Sequence, residues 1–199
     1  MIETRICVTG SNEKIGKTLN ISLPAVVSCP KGVPCASLCY DLKLYGIRPT
    51  VKAARYRNWK ILLNDRKDYF SQLAEIIEKK KPEFFRWHVG GDIPNLEYFN
   101  EMVELALRFP KVKFMCYTKS IYPAVWLAVM HCTPRIPKNL SVMRSIWGKW
   151  NSMPNASMFR KAIFVPRGAT AGKGLVCPGK CDGCRACWNP KSNILFNQH

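Results

Sequence analysis

No stretch of this chain stays apolar for the roughly 18 residues a membrane helix requires, and its opening, MIETRICVTGSNEKIGK, lacks an apolar run of signal-peptide length. These absences argue against a membrane partner and lead to the expectation of a cytoplasmic protein. Internal repeats and low-complexity tracts are also missing, and nothing beyond short Pro- and Gly-bearing turns resembles a linker. The 199 residues, 47% of them hydrophobic, are therefore expected to form one domain spanning 1–199. Negative charge is scarce: 13 Asp and Glu stand against 31 Lys and Arg, for a formal charge of +18 and a pI near 9.7. Such a field attracts polyanions. The basic residues are nonetheless dispersed, EKKK at 78–81 reads as a helix end where cations suit the dipole, and no RNA-recognition or zinc-finger signature occurs. Charge alone thus predicts non-specific attraction to nucleic acid, with a solvated basic surface as the plain alternative.

What is present alternates in period. The first 50 residues are rich in loops, with strands expected in RICVTG and NISLPAVV. Helices are expected near 50–64 and 66–81; in the second, Phe70, Leu73, Ala74 and Ile77 recur at one-face spacing. FFRWHVGGD predicts a strand over about 84–90. Helix 96–108 sets Leu96, Phe99, Met102, Val103, Ala106 and Leu107 on one stripe behind Asn95 as N-cap. A strand in VKFMCYTK, a helix near 122–131, and strands in NLSVMRSI and KAIFVP complete the series. Strands alternating with helices imply parallel pairing through right-handed crossovers. Five or six strands are too few for a closed eight-stranded barrel. The expected fold is therefore α/β, a partial (β/α) barrel with cysteine-rich N-terminal and C-terminal loops, with a small doubly wound sheet as the alternative.

Ten cysteines are present, and in a reducing cytosol clustered thiols bind metal more often than they form disulfides. VCPGKCDGCRACW holds Cys177, Cys181, Cys184 and Cys187 at x3, x2 and x2 spacing, tight enough to wrap one inorganic centre. A zinc ribbon needs a longer gap between its knuckles, whereas C-x2-C-x2-C with an outlying Cys-Pro is a ferredoxin arrangement read backwards. Iron–sulfur is the favoured centre. The fourth ligand beside Cys181, Cys184 and Cys187 is either the local Cys177 or the distant Cys29, both of which precede proline. Loop-closure entropy favours the local one. SCPKGVPCASLCY supplies a second group, Cys29, Cys35 and Cys39. Three thiolates suffice for a [3Fe-4S] cluster, and on a [4Fe-4S] cluster they leave one iron open to substrate. Cys7, Cys116 and Cys132 stand alone and read as apolar filling.

Strand alternation places Arg86, His88 and Gly90 on one face of FFRWHVGGD and Phe85, Trp87 and Val89 on the other. If the aromatic face meets the helices, Arg86 and His88 point into the barrel as candidate catalytic groups, with Asp92 as partner for the arginine. On helix 51–63, Arg55 and Asn58 fall on the apolar side among Val51, Ala54, Ile61 and Leu62, either to steady a cysteine-bearing loop or to bind an anionic ligand. Lys119 ends a strand, where barrel sites form; it and Arg144 are candidates for holding an anion.

In order along the chain, KIGKTLNISLPAVVSCP, CASLCYDLK, RPTVKAARYRNW, FRWHVGGDIPNLEYFNEMVELA, KFMCYTKS and CPGKCDGCRACW resemble the phage gene product 88 family. The resemblance implies a phage or bacterial origin, a cysteine-bound metal centre and a barrel similar to that of radical S-adenosylmethionine enzymes. It implies no substrate. Those enzymes carry C-x3-C-x2-C and a Gly-Gly-Glu-Pro stretch; here CASLCY supplies only C-x3-C, with Cys29 upstream, while GGDIP places Gly90 and Gly91 where the cofactor's amino group would be held. The departure in the triad counts against S-adenosylmethionine, which stays a cofactor candidate beside one or two iron–sulfur clusters. The expectation is an iron–sulfur protein in electron transfer or redox catalysis, with a redox partner and a small or anionic substrate. The alternative is a zinc-stabilised basic module that binds nucleic acid without catalysis; a radical enzyme that modifies RNA is a third possibility.

Overall fold

A computed structural model describes residues 4–10, 13–129, 136–147, 159–170 and 172–197. The end of the helix expected at 122–131, and Cys132, lie outside the described residues. The chain runs β1 (Val8–Thr9), β2 (Leu19–Ile21), α1 (Tyr40–Ile47), α2 (Pro49–Asn64), α3 (Arg66–Lys80), β3 (Phe84–Trp87), α4 (Leu96–Arg108), β4 (Lys113–Thr118), α5 (Tyr122–Val129), β5 (Leu140–Trp147), β6 (Arg160–Val165), β7 (Leu175–Val176) and β8 (Ile194–Asn197), with a 3-10 turn at Ala186–Trp188.

The eight strands form one sheet in the order β1-β2-β3-β4-β5-β6-β8-β7. Only β1 pairs antiparallel; all other neighbours are parallel. The fold is therefore mixed α/β, and the sheet is open, with β1 and β7 at its edges. From β2 to β6 the spatial order follows the chain order without reversal. A doubly wound sheet has such a reversal, so that alternative is set aside.

Side-chain alternation divides the sheet into two faces. Ile21, Phe85, Trp87, Phe114, Cys116, Leu140 and Val142 pack with Phe70, Leu73, Ile77, Phe99, Met102 and Val103 of the helices in the main core. Each such burial contributes about 1.5–3 kcal/mol. Asn95 caps α4 by accepting from the Tyr98 N–H at 2.8 Å, and Asp65 does the same for α3 with Asp68 at 2.9 Å. Leu107, about a quarter-turn off the centre of the α4 stripe, is exposed, while Leu105 on the opposite flank is buried. On the other face of the sheet, Met115, Met143, Ala162 and Ile194 form a second core with Cys187 and Trp188. The cysteine-rich C-terminal segment thus packs on the face opposite the main helical core.

Candidate functional site

The N-terminal cysteine loop follows the carboxyl end of β2. Pro24, Pro30 and Pro34 keep it out of regular structure. Ser28 ties it together: its N–H and its hydroxyl both donate to the Pro24 carbonyl, and its oxygen accepts from the Asp92 N–H at 3.2 Å. The Cys29 N–H donates to the Val26 carbonyl at 3.3 Å, and Val26 has φ +68°, a conformation costly for a β-branched residue. Cys39 sits at the N-cap of α1, two residues before Asp41, which forms a buried ion pair with Arg55 of α2. Arg55 thereby fastens the helix that leaves the cysteine loop, and the loss of either partner would strand a buried charge.

The GGD stretch after β3 is fitted against this loop. A Cβ at Gly91, where φ is +81°, would lie 2.5 Å from Ser28 Oγ and 2.7 Å from the Leu23 carbonyl; one at Gly90 would strike Asp41 and come within 2.7 Å of Arg55 Nη1. Only glycine allows the backbone so close. The Leu23 N–H donates to the Gly90 carbonyl at 3.1 Å, and Tyr40 Oη donates to the Val89 carbonyl. Asn58 donates to the carbonyls of Cys7 (2.9 Å) and Ser22 (3.0 Å) and accepts from the Cys7 N–H. Arg55 and Asn58 are thus engaged in holding the elements around the cysteine loop.

Two expectations are corrected. His88 does not continue the alternation of the strand: β3 ends at Trp87, His88 takes φ +52°, and its ring lies against Trp87 and Tyr98 on the helix side, with Nε2 3.0 Å from Tyr98 Oη. Burial, and secondarily Arg86, lowers its pKa to about 3, so it is neutral. Asp92 is not the partner of Arg86. Its carboxylate accepts from Thr118 Oγ1 (2.5 Å), the Lys119 N–H (2.8 Å) and its neighbour's N–H at Ile93 (2.7 Å), which joins the ends of β3 and β4. Arg86 does point to the face away from the helices, with its guanidinium 5.2 Å over the Tyr117 ring. Lys119 lies at the carboxyl end of β4, its Nζ 5.9 Å over the ring of Trp147. Arg144 alternates to the opposite face from Ser145 and does not reach the same space.

The C-terminal segment is anchored from several strands. Trp188 Nε1 donates to the Phe85 carbonyl at 3.0 Å, Ser141 Oγ to the Cys187 carbonyl at 2.7 Å, and Tyr117 Oη to Cys187 Sγ at 2.7 Å. The Cys181 N–H donates to the Lys14 carbonyl at 2.9 Å, and Arg185 bonds Thr18 Oγ1 and stacks 4.5 Å over Phe84. Arg185 and Thr18, 167 residues apart in sequence, are brought together here by topology.

Between the two cysteine segments lies a cavity of about 1000 Å³. Its wall includes Cys29, Cys35, Cys39, Cys177, Cys181, Cys184 and Cys187, together with Arg55, Asn58, Arg86, His88, Gly90, Gly91, Asp92 and Lys119. Cys7, read from the sequence as filling, also lines it, whereas Cys116 is buried in the helix-side core. Sequence reasoning passed over Asp41 and Ser28; a lone Asp or Ser carries no spacing signal, and only the strand register brings Tyr117 to Cys187. The described cysteines are all free. Burial, with Asp92 adding to it, pushes the Cys29 thiol up to about 12; burial also raises Cys187 to about 11 despite the Tyr117 hydrogen bond. Cys177 lies near enough to add to the rise at Cys181, and both add to the rise at Cys187. As free thiols, Cys29, Cys181 and Cys187 hold their protons at neutral pH. Among the described residues, no three His, Cys, Asp or Glu side chains converge to hold a metal ion, so the thiols share one space without being drawn to a point.

A mixed α/β sheet whose open face is closed by cysteine-bearing segments defines a cysteine-rich α/β protein with an internal cavity. The Gene product 88 family matches residues 3–170, and the chain belongs to that family. It is 26% identical to the Gene 88 protein of Mycobacterium phage D29, over 94% of this chain and 90% of the relative, and 26% identical to the Gene 88 protein of Mycobacterium phage L5 over the same shares. No solved structure matches the chain. Among the described residues no helix is long and apolar enough to cross a membrane.

Proposed function

We propose that this is an iron–sulfur protein, phage-encoded like the relatives above, that works in electron transfer or redox catalysis on a small or anionic substrate. The observation that carries the reading is the single cavity lined by all seven clustered cysteines. An iron–sulfur cluster is broader than a single ion and holds its thiolates further apart, so cysteines spread around a cavity suit it better than zinc. Cys177, Cys181, Cys184 and Cys187 would hold one centre; Cys29, Cys35 and Cys39 would hold a second with one position not taken by cysteine. Such a centre, when bound, supplies one-electron chemistry. The chain's own residues would exclude water through Trp188 and offset thiolate charge through Lys119 and Arg185. The same reading takes the open sheet as part of a (β/α) barrel wall, supported by the unreversed order from β2 to β6 and by a cavity at the carboxyl ends of the strands. S-adenosylmethionine has weaker support: Gly90 and Gly91 face the cavity, but the backbone of Gly90 is taken up by Leu23 and Ser22, and Gly91 is packed closely against Ser28.

Paramagnetic resonance of anaerobically purified protein tests the assignment. A [3Fe-4S] signal, or a [4Fe-4S] cluster that exchanges one iron, is expected from the three-cysteine group. Two inert, fully cysteine-ligated clusters would remove the open position, and a colourless protein with stoichiometric zinc would favour a metal-stabilised nucleic-acid-binding module.

A further inference from the structure

The charges around the cavity do not balance within the protein. Eight of the lining residues are Lys or Arg and three are Asp or Glu. Of the three acids, Asp41 is already paired with Arg55, and Asp92 is saturated by Thr118 and two backbone N–H groups. Arg86 stands out among the cations. It projects from β3 between the two cysteine segments, its Nε is buried with no hydrogen-bond partner, and none of the ion pairs among the described residues includes it. Its guanidinium lies over the face of Tyr117, a contact that uses none of its N–H donors. On that side the Cys187 thiol is already hydrogen-bonded by the Tyr117 hydroxyl. A half-buried guanidinium with unmet donors is costly unless an anion meets it, and its fork matches the paired oxygens of a carboxylate or phosphate.

We propose that Arg86 is the centre of an oxyanion-binding site, and that the cavity takes a small molecule through its carboxylate or phosphate group. Lys119, further along the neighbouring strand at the carboxyl end of the sheet, adds a second positive charge that draws the anion in without holding it. The inference rests on the cavity being the functional site and gives that site a substrate class. The competing explanation is that Arg86 serves only to offset thiolate charge.

The test is calorimetric titration of the full-length protein with inorganic phosphate and, separately, with acetate, with metal content measured in every sample. One saturable site per chain is expected, and the stronger anion identifies the group recognised. Arg86→Gln should weaken binding by about tenfold or more while metal content stays unchanged. Arg86→Lys, which keeps the charge and loses the fork, should fall between, and carries the test if the glutamine variant does not fold. Lys119→Gln should have a smaller effect than Arg86→Gln. Absence of saturable binding to either anion, unchanged affinity in the Arg86 variants, or loss of metal with affinity retained would each overturn the proposal. Binding is read with or without iron, so failure of the iron–sulfur assignment and failure of the anion site give different results.

Discussion

Tyr117 is the residue on which the two sides of the site turn: its hydroxyl reaches Cys187 Sγ at 2.7 Å while Arg86 covers its ring. A hydrogen bond to a ligating sulfur stabilises the more negative, reduced centre. If Cys187 holds the proposed cluster, Tyr117→Phe is expected to retain the cluster and to lower its midpoint potential by on the order of tens of millivolts, the equivalent of about 1 kcal/mol; potentiometry reads it, and an unmoved potential contradicts it. His88 makes a separate prediction. Its pKa falls from 6.5 to about 3 on folding, so below 6.5 the unfolded chain takes up a proton that the folded chain refuses. Its contribution to stability is full above about pH 6.5 and is lost as pH falls toward 3, at about 1.4 kcal/mol per pH unit. His88→Asn, which tolerates positive φ, should flatten the acid side of the stability curve in urea titrations, and equal slopes would contradict this. The sequence made Arg86 legible by alternation, because β3 is a regular strand through Trp87. It misplaced His88 because the strand stops one residue earlier and the backbone turns left-handed, an event no side-chain period announces.

At the scale of elements, the strongly periodic segments were the readable ones. Helix α4, with a wide apolar stripe and an Asn cap, lies where the pattern puts it, as do α2, α3, β4, β5 and β6 within a residue or two. Helix α1 was missed: YDLKLYGI buries only Asp41 and Tyr45 and has no apolar stripe, since its position is fixed by the Asp41–Arg55 pair. Strands β7 and β8 were missed because they are short and depend on non-local pairing, β8 with β6 and β7 with β8. The cysteine spacing was legible as two groups, but their meeting across one cavity depends on tertiary topology. The structure packs Cys177 and Cys181 against the group that holds Cys187, and the proposed ligation is the local one. Cys177→Ala is accordingly expected to diminish the C-terminal centre and spare the N-terminal one, while Cys29→Ala does the reverse; iron content and paramagnetic spectra of the two variants check it. Loss of the C-terminal centre in Cys29→Ala, with Cys177→Ala intact, would mean that the two ends of the chain share a metal.

For the whole molecule, one sheet has helices on one face and a cysteine-bearing tail on the other, so the face left open by α/β winding becomes the wall of a cavity. The net charge of +18 acts at this scale as well. Spread over the chain rather than gathered into a stripe, it predicts weak nucleic-acid binding that ignores sequence and falls steeply with salt. Filter binding across a salt series reads this, and nanomolar affinity for one RNA at physiological salt would contradict it and favour the zinc-stabilised module. The central claim is that the clustered thiols hold iron and sulfide. It is tested most directly by anaerobic purification of the full chain followed by quantitation of iron, acid-labile sulfide and zinc per protein. The account predicts iron and sulfide in near-equal, multiple equivalents with little zinc, and loss of both from a variant with Cys181, Cys184 and Cys187 replaced by Ala together with Cys29, Cys35 and Cys39. Stoichiometric zinc without sulfide, or a metal-free protein that stays folded and takes up no iron on anaerobic reconstitution, would contradict it.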